Sequence, residues 1–150
     1  MHSLAKSAVR LLGIELAPVG HIERFISAVG GMVAVYLLIF IERGLLGEAG
    51  AAMLVASMGA SAVLLFAVPH GALSQPWAVV MGNASSAVVG VTCARYVPGM
   101  MAAASLSVGL SIAAMHYARA IHPPGGATAL TAVIGGHQVH ELGYWFVVTP

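Results

Sequence analysis

The chain has 150 residues, enough for one domain, of which 59% are hydrophobic and only 7% charged. A soluble domain carries about 25% charged residues. With so little polar surface and a mean hydropathy of +0.94, the composition excludes a soluble globular domain and points to an integral membrane protein. A net charge of +1 gives no footing for nucleic acid, and the single Cys93 excludes an intramolecular disulfide or a thiolate metal cage.

In chain order, residues 1–21 read as an N-terminal interfacial segment. Lys6 and Arg10 accompany a short apolar run, residues 11–16, that Glu15 interrupts; this is too short for a cleaved signal peptide. Residues 22–150 read as the transmembrane domain. Residues 22–41 make a first span, since about 20 residues at 1.5 Å each cross a hydrocarbon core of about 30 Å. Residues 42–48 read as a polar turn and 49–68 as a second span. A loop with a proline at each end, 69–76, leads to a third span at 77–97, with Trp77 and Tyr96 where interfacial aromatics sit. Pro98-Gly99 is a tight turn and 100–121 a fourth span. After a break at 122–126, residues 127–134 are apolar but too short to cross and read as re-entrant. A polar patch, 135–141, precedes a closing apolar stretch, 142–150, that reads as the first turns of a last helix cut short or as a piece lying in the interface. Lys6 and Arg10 before the first span, with Arg24 at its very start, place the N-terminus in the cytoplasm.

The break, His122-Pro123-Pro124-Gly125-Gly126-Ala127-Thr128, is the most informative segment. Proline lacks an N–H and clashes with the preceding turn, and glycine does not hold a helix. In lipid, such a break is tolerated only where it is packed in protein or lines a wet cavity. A helix restarting at Ala127 would leave backbone N–H groups at membrane depth, which is anion-binding chemistry.

An echo lies upstream. Gly59-Ala60-Ser61-Ala62-Val63 repeats Gly126-Ala127-Thr128-Ala129-Leu130 at an offset of 67, and the same offset pairs His70 with His137 and Trp77 with Tyr144. Three intervening spans would make this an inverted repeat, with the two helix starts facing each other across one site. Small residues at four-residue spacing, Gly82, Ser86, Gly90 and Ala94, then Ser105, Gly109 and Ala113, let helices approach closely. They suit tight bundle packing or a homo-oligomer interface.

Between residues 49 and 140 there is no Asp or Glu, whereas Arg95, Arg119 and five histidines (His70, His116, His122, His137 and His140) are present. Cation pathways and proton relays use carboxylates or clustered carbonyls, so a small anion is the better fit. Arg119 shares a helix face with His116 and either serves the site or, like Arg95, snorkels to the interface. Asn83, the only Asn, reads first as glue between helices. The histidines lack the carboxylate or thiolate that would complete a metal set, so neither a metal nor another cofactor is expected; they could gate by protonation instead.

The blocks HPPGGATAL (122–130), GASAVLLFAVPHGALSQPW (59–77) and GYWFVVTP (143–150) resemble the HPP family of integral membrane proteins. The similarity covers roughly residues 25–150. The resemblance implies a four-span membrane domain in candidate transporters and, through plant chloroplast and cyanobacterial relatives, nitrite or a similar small monovalent anion as substrate. Family members continue beyond the closing Thr-Pro with more apolar sequence.

The expectation is therefore an all-α polytopic membrane helix bundle with broken or re-entrant helices, acting as a transporter or channel and not an enzyme, since no nucleophile–base pair is evident. The expected anion-binding residues are Gly59, Ala60, Ser61, Arg119, His122, Gly125, Gly126, Ala127 and Thr128, with His70 and His137 at the mouths. The expected partners are the lipid bilayer and a second copy of the chain, and the expected location is a bacterial inner membrane. A non-transporting membrane module, a sensor or an assembly subunit, is the alternative.

Overall fold

The computed structural model describes residues 19–148, with the side chains of 45–54 left aside. The N-terminal segment therefore lies, but for its last three residues, outside the described residues, as do Thr149 and Pro150. The described chain is all helical: α1 (His21–Ala67), a 3-10 turn (Ala72–Ser74), α2 (Pro76–Tyr96), α3 (Met100–Tyr117), α4 (Pro124–Ile134), α5 (Gly136–Leu142) and a closing 3-10 helix (Gly143–Val148). Stretches 21–44, 76–96 and 100–117 are each long and apolar enough to cross a membrane, and the molecule is an all-α membrane helix bundle.

The expected polar turn at 42–48 is not a break in secondary structure, because α1 is helical over 47 residues. Straight, it would be about 70 Å long, more than twice a hydrocarbon core. It is not straight. A Cβ placed on Gly30 would lie 2.6 Å from two ring atoms of Phe66, although 36 helical residues would separate them by about 54 Å. The two halves of α1 therefore lie side by side, and their equal arms put the reversal near residue 48. The expected change of direction is present, made within a helical segment and not by a loop. Glu42, just before it, is 4% exposed.

Glycines and alanines set how closely the rest packs. Gly82 faces Ala120 and His122, Gly125 faces the Gly82 carbonyl and Ser86, and Gly90 faces Ala129 and Ala132. Rising numbers on α2 meet rising numbers on α4, so these helices run parallel, with α3 antiparallel beside both. The stripe Gly82, Ser86, Gly90 is thus spent within the chain, on α2–α4 packing. On α3, by contrast, a Cβ on Gly109 would meet nothing within 4 Å. The second half of α1 crosses α4 in the opposite sense, with Ser57 at Thr128 and Ser61 at His122. Ala87, Val91, Ala132, Val139 and Phe146 form a small buried core where α5 and the closing 3-10 helix fold onto α2 and α4.

Helix ends follow local chemistry. Pro76 and Pro124 stand at the first positions of α2 and α4, where a missing N–H costs nothing. Helix α3 ends in a Schellman motif: Ala120 N–H reaches the Met115 carbonyl and Arg119 N–H the His116 carbonyl, with Arg119 in the left-handed region at φ 52°. Helix α4 starts at Pro124, not at Ala127, so its eleven residues cover about 16 Å, roughly half a bilayer core.

Two glycines test this packing. Gly90→Ala would set a methyl 2.5 Å from the Ala129 carbonyl oxygen and should destabilise the bundle by about 1–3 kcal/mol. Gly109→Ala should be neutral or stabilise by up to about 1 kcal/mol. Reversible unfolding in mixed micelles, compared between the two variants, checks both.

Candidate functional site: a buried polar junction at the helix break

The break between α3 and α4 is packed in protein. His122 is fully buried. Its Nδ1 lies 2.8 Å from the Leu73 carbonyl oxygen and its Nε2 lies 2.9 Å from Ser61 Oγ. A carbonyl can only accept, so Nδ1 carries the proton. In the neutral ring Nε2 then accepts from the Ser61 hydroxyl. One imidazole thus joins three segments: the second half of α1, the loop before α2 and the break itself. The backbone N–H of His122 points at Met115 Sδ, 3.5 Å away.

One turn into α4, Thr128 makes the second tie. Its Oγ1 lies 2.7 Å from Ser57 Oγ and donates to Asn83 Oδ1 at 2.9 Å. With the Thr128 proton spent on Asn83, Ser57 is the donor to Thr128. Asn83 Nδ2 in turn donates to the Val79 carbonyl at 3.0 Å, which fixes the amide orientation. Ser57 and Ser61, four residues apart on α1, therefore face the same seam. Ser86 is also wholly buried, and its hydroxyl has no partner among the described residues; it sits where a Cβ on Gly125 would come within 2.8 Å.

The loop that supplies Leu73 is itself held. Ser74 Oγ donates to the Leu64 carbonyl at 3.0 Å, and Gln75 Nε2 donates to the Gly71 carbonyl at 3.1 Å. Trp77 Nε1 donates to the Ala118 carbonyl at 3.0 Å, which covers one of the carbonyls left free at the end of α3.

The expected site residues divide. Ser61, His122, Gly125 and Thr128 come together at the junction. Gly59–Ser61 does not form a helix start, because α1 runs on to Ala67 and commits those amides to its own ladder. Ala60 is exposed and Gly59 lines a groove between the two halves of α1. At the other copy, Gly125 N–H bonds the His122 carbonyl and Gly126 N–H the Pro123 carbonyl, so these amides are not free either. Gly126 and Ala127 are half-buried at the first turn of α4. Arg119 is exposed at the cap of α3, and His70 and His137 are exposed, His137 3.5 Å from Glu141. Among the described residues no three His, Cys, Asp or Glu side chains are placed to hold a metal. Ser57 was not anticipated, although its spacing from Ser61 is a readable signal, and Asn83 joins Thr128 in the role of helix glue expected of it.

The sequence matches the profile of the HPP transmembrane region over residues 17–150. The chain belongs to the HPP transmembrane family. Two relatives in Dictyostelium discoideum, both described as transmembrane proteins, are similar: one is 41% identical over 102 residues, covering 65% of this chain and 35% of its own length, and the other 34% identical over 128 residues, covering 83% and 41%. This HPP chain spans about two fifths or less of their length. No solved structure matches it.

Removing the central hydroxyl should show how much the junction holds. Thr128→Val keeps shape but leaves Ser57 and Asn83 short of a partner, with an expected cost of roughly 0.5–2 kcal/mol. Ser57→Ala combined with Thr128→Val should cost less than the sum of the single changes. Strict additivity in a double-mutant unfolding cycle would contradict the bond between them.

Proposed function

We propose that this HPP domain moves a small monovalent anion, with nitrite as the first candidate, across a bacterial inner membrane along the seam where the second half of α1 meets the start of α4. The observation that carries this reading is the chemistry of the seam. Ser57, Ser61, Ser86, His122 and Thr128, all buried, and the half-buried Asn83 offer hydroxyl, imidazole and amide groups around the start of α4, with no carboxylate anywhere between residues 49 and 140. An ion that passes must trade hydration for such groups, and donors beside the positive end of the α4 dipole favour a negative one.

In this reading the seam opens by exchange. The Ser61 hydroxyl turns from His122 Nε2 towards the solute, keeping the Ser57 carbonyl, 3.3 Å away, as an alternative acceptor. The Ser57 and Thr128 hydroxyls similarly re-aim, Thr128 keeping the Pro124 carbonyl, 3.3 Å away, as its alternative acceptor. The eleven-residue α4 acts as a re-entrant element, and the N-terminus faces the cytoplasm. The Ser105–Gly109 face of α3, exposed among the described residues, suits contact with a second copy.

A non-transporting membrane module has one observation in its favour: in the closed seam nearly every hydroxyl and imidazole hydrogen bond is spent joining helices, which is all a scaffold needs. Reconstituted proteoliposomes separate the two. Anion-driven nitrite uptake is expected for the wild type, and Thr128→Val and Ser61→Ala should lower it by about tenfold or more while folding persists. Absence of uptake by the folded protein would favour the scaffold, and unchanged uptake in both variants would remove the seam from the pathway.

A further inference from the structure

At the other end of α2, about 20 Å from His122 along the helix axis, a second polar feature has no part in the junction. Arg95 lies in the last turn of α2 with its Cζ 5.1 Å from the centre of the Tyr144 ring. Tyr144 is itself held, its hydroxyl 3.1 Å from Thr92 Oγ1. Behind the guanidinium stands Gly143, at φ 53°, and a Cβ there would collide with Arg95 Nη2. Only glycine suits that position, both for its left-handed backbone and for the room it leaves.

The side chain of Arg95 is exposed and lies against ring and turn, and no hydrogen-bond acceptor or carboxylate among the described residues engages its N–H groups. The ring takes the face of the cation and leaves its edge donors open. Beside it lies a cavity of about 160 Å³ lined by Val91, Ala94, Arg95, Ala132, Val139, His140 and Gly143. His140 is committed through Nε2, 2.9 Å from the Val133 carbonyl, so it forms a wall and Arg95 remains the donor. Glu141, the nearest acid in sequence, points to His137 instead. A guanidinium packed against a ring, with no acidic partner among the described residues and a small cavity beside it, is an arrangement that takes two oxygens of one anion in parallel.

We propose that Arg95, Tyr144 and the Gly143 turn form a cradle for a small oxyanion that presents two adjacent oxygens, such as nitrite, nitrate, a carboxylate or a phosphate group. The cavity is sized for the anionic group and not for an acyl chain. The phosphate of an anionic lipid and a free anion share this chemistry, and the cradle does not depend on transport along the seam.

The test uses the full chain in nanodiscs. In zwitterionic lipid, chloride is exchanged for nitrite, nitrate or phosphate at constant ionic strength while thermal stability is followed. In the second arm, retention of phosphatidylglycerol is measured by native mass spectrometry. A saturable effect that weakens by about tenfold or more in Arg95→Gln, partly in Arg95→Lys, and not in Tyr144→Phe is expected in at least one arm. Dependence on Arg95 in the first arm assigns the cradle to free anions, and in the second to lipid headgroups. If Arg95→Gln, folded as shown by wild-type-like melting in chloride, behaves as wild type in both arms, the cradle is refuted. Because binding is read directly, a failure of nitrite flux leaves this result standing.

Discussion

A polar group buried in protein has no water to turn to, and each one left unpaired costs several kcal/mol. The chain breaks its own helix at residues 118–123, so the freed carbonyls, amides and one imidazole must be satisfied by neighbours. Much of the arrangement follows from that need. Trp77 covers the Ala118 carbonyl, the Schellman cap absorbs the end of α3, and His122 spans from Leu73 to Ser61. Because His122 requires both of those partners, it also fixes where the loop before α2 and the second half of α1 can lie.

Close packing makes these bonds reachable. Gly82, Gly90 and Gly125 bring α2 and α4 close enough that the Asn83 amide and the Thr128 hydroxyl meet. Larger side chains at those positions would separate the helices, and the polar seam would lose its geometry along with its van der Waals contact. The small-residue stripe and the polar junction are therefore two halves of one device. The first sets the distance between helices and the second sets their register.

Much of this was legible in the chain. Composition shows the membrane class, the His-Pro-Pro run shows the break, and the spacing of Gly82, Ser86 and Gly90 shows a close-packed face. The echo at Gly59 misled on one point. At the positions matching Pro123 and Pro124 the upstream copy has Ala56 and Ser57. Without proline the helix does not break, so Ser61 contributes a side chain from mid-helix and not a free amide. Arg119 was displaced for a similar reason. Helical spacing put it on a face with His116, but α3 ends at Tyr117, and beyond a helix end that periodicity no longer applies. The partner of the imidazole on its Nδ1 side, a carbonyl in the loop at Leu73, carries no side-chain signature and could not be read.

His122 carries the junction, and its tautomer reports on it directly. Nitrogen NMR of protein with isotope-labelled histidine, in lipid and with the His122 resonance assigned by its loss in His122→Gln, reads which ring nitrogen bears the proton. A neutral ring protonated at Nδ1, with Nε2 accepting a hydrogen bond that weakens in Ser61→Ala, is the expected result. A neutral ring protonated at Nε2, or one exchanging freely between tautomers, would contradict the junction.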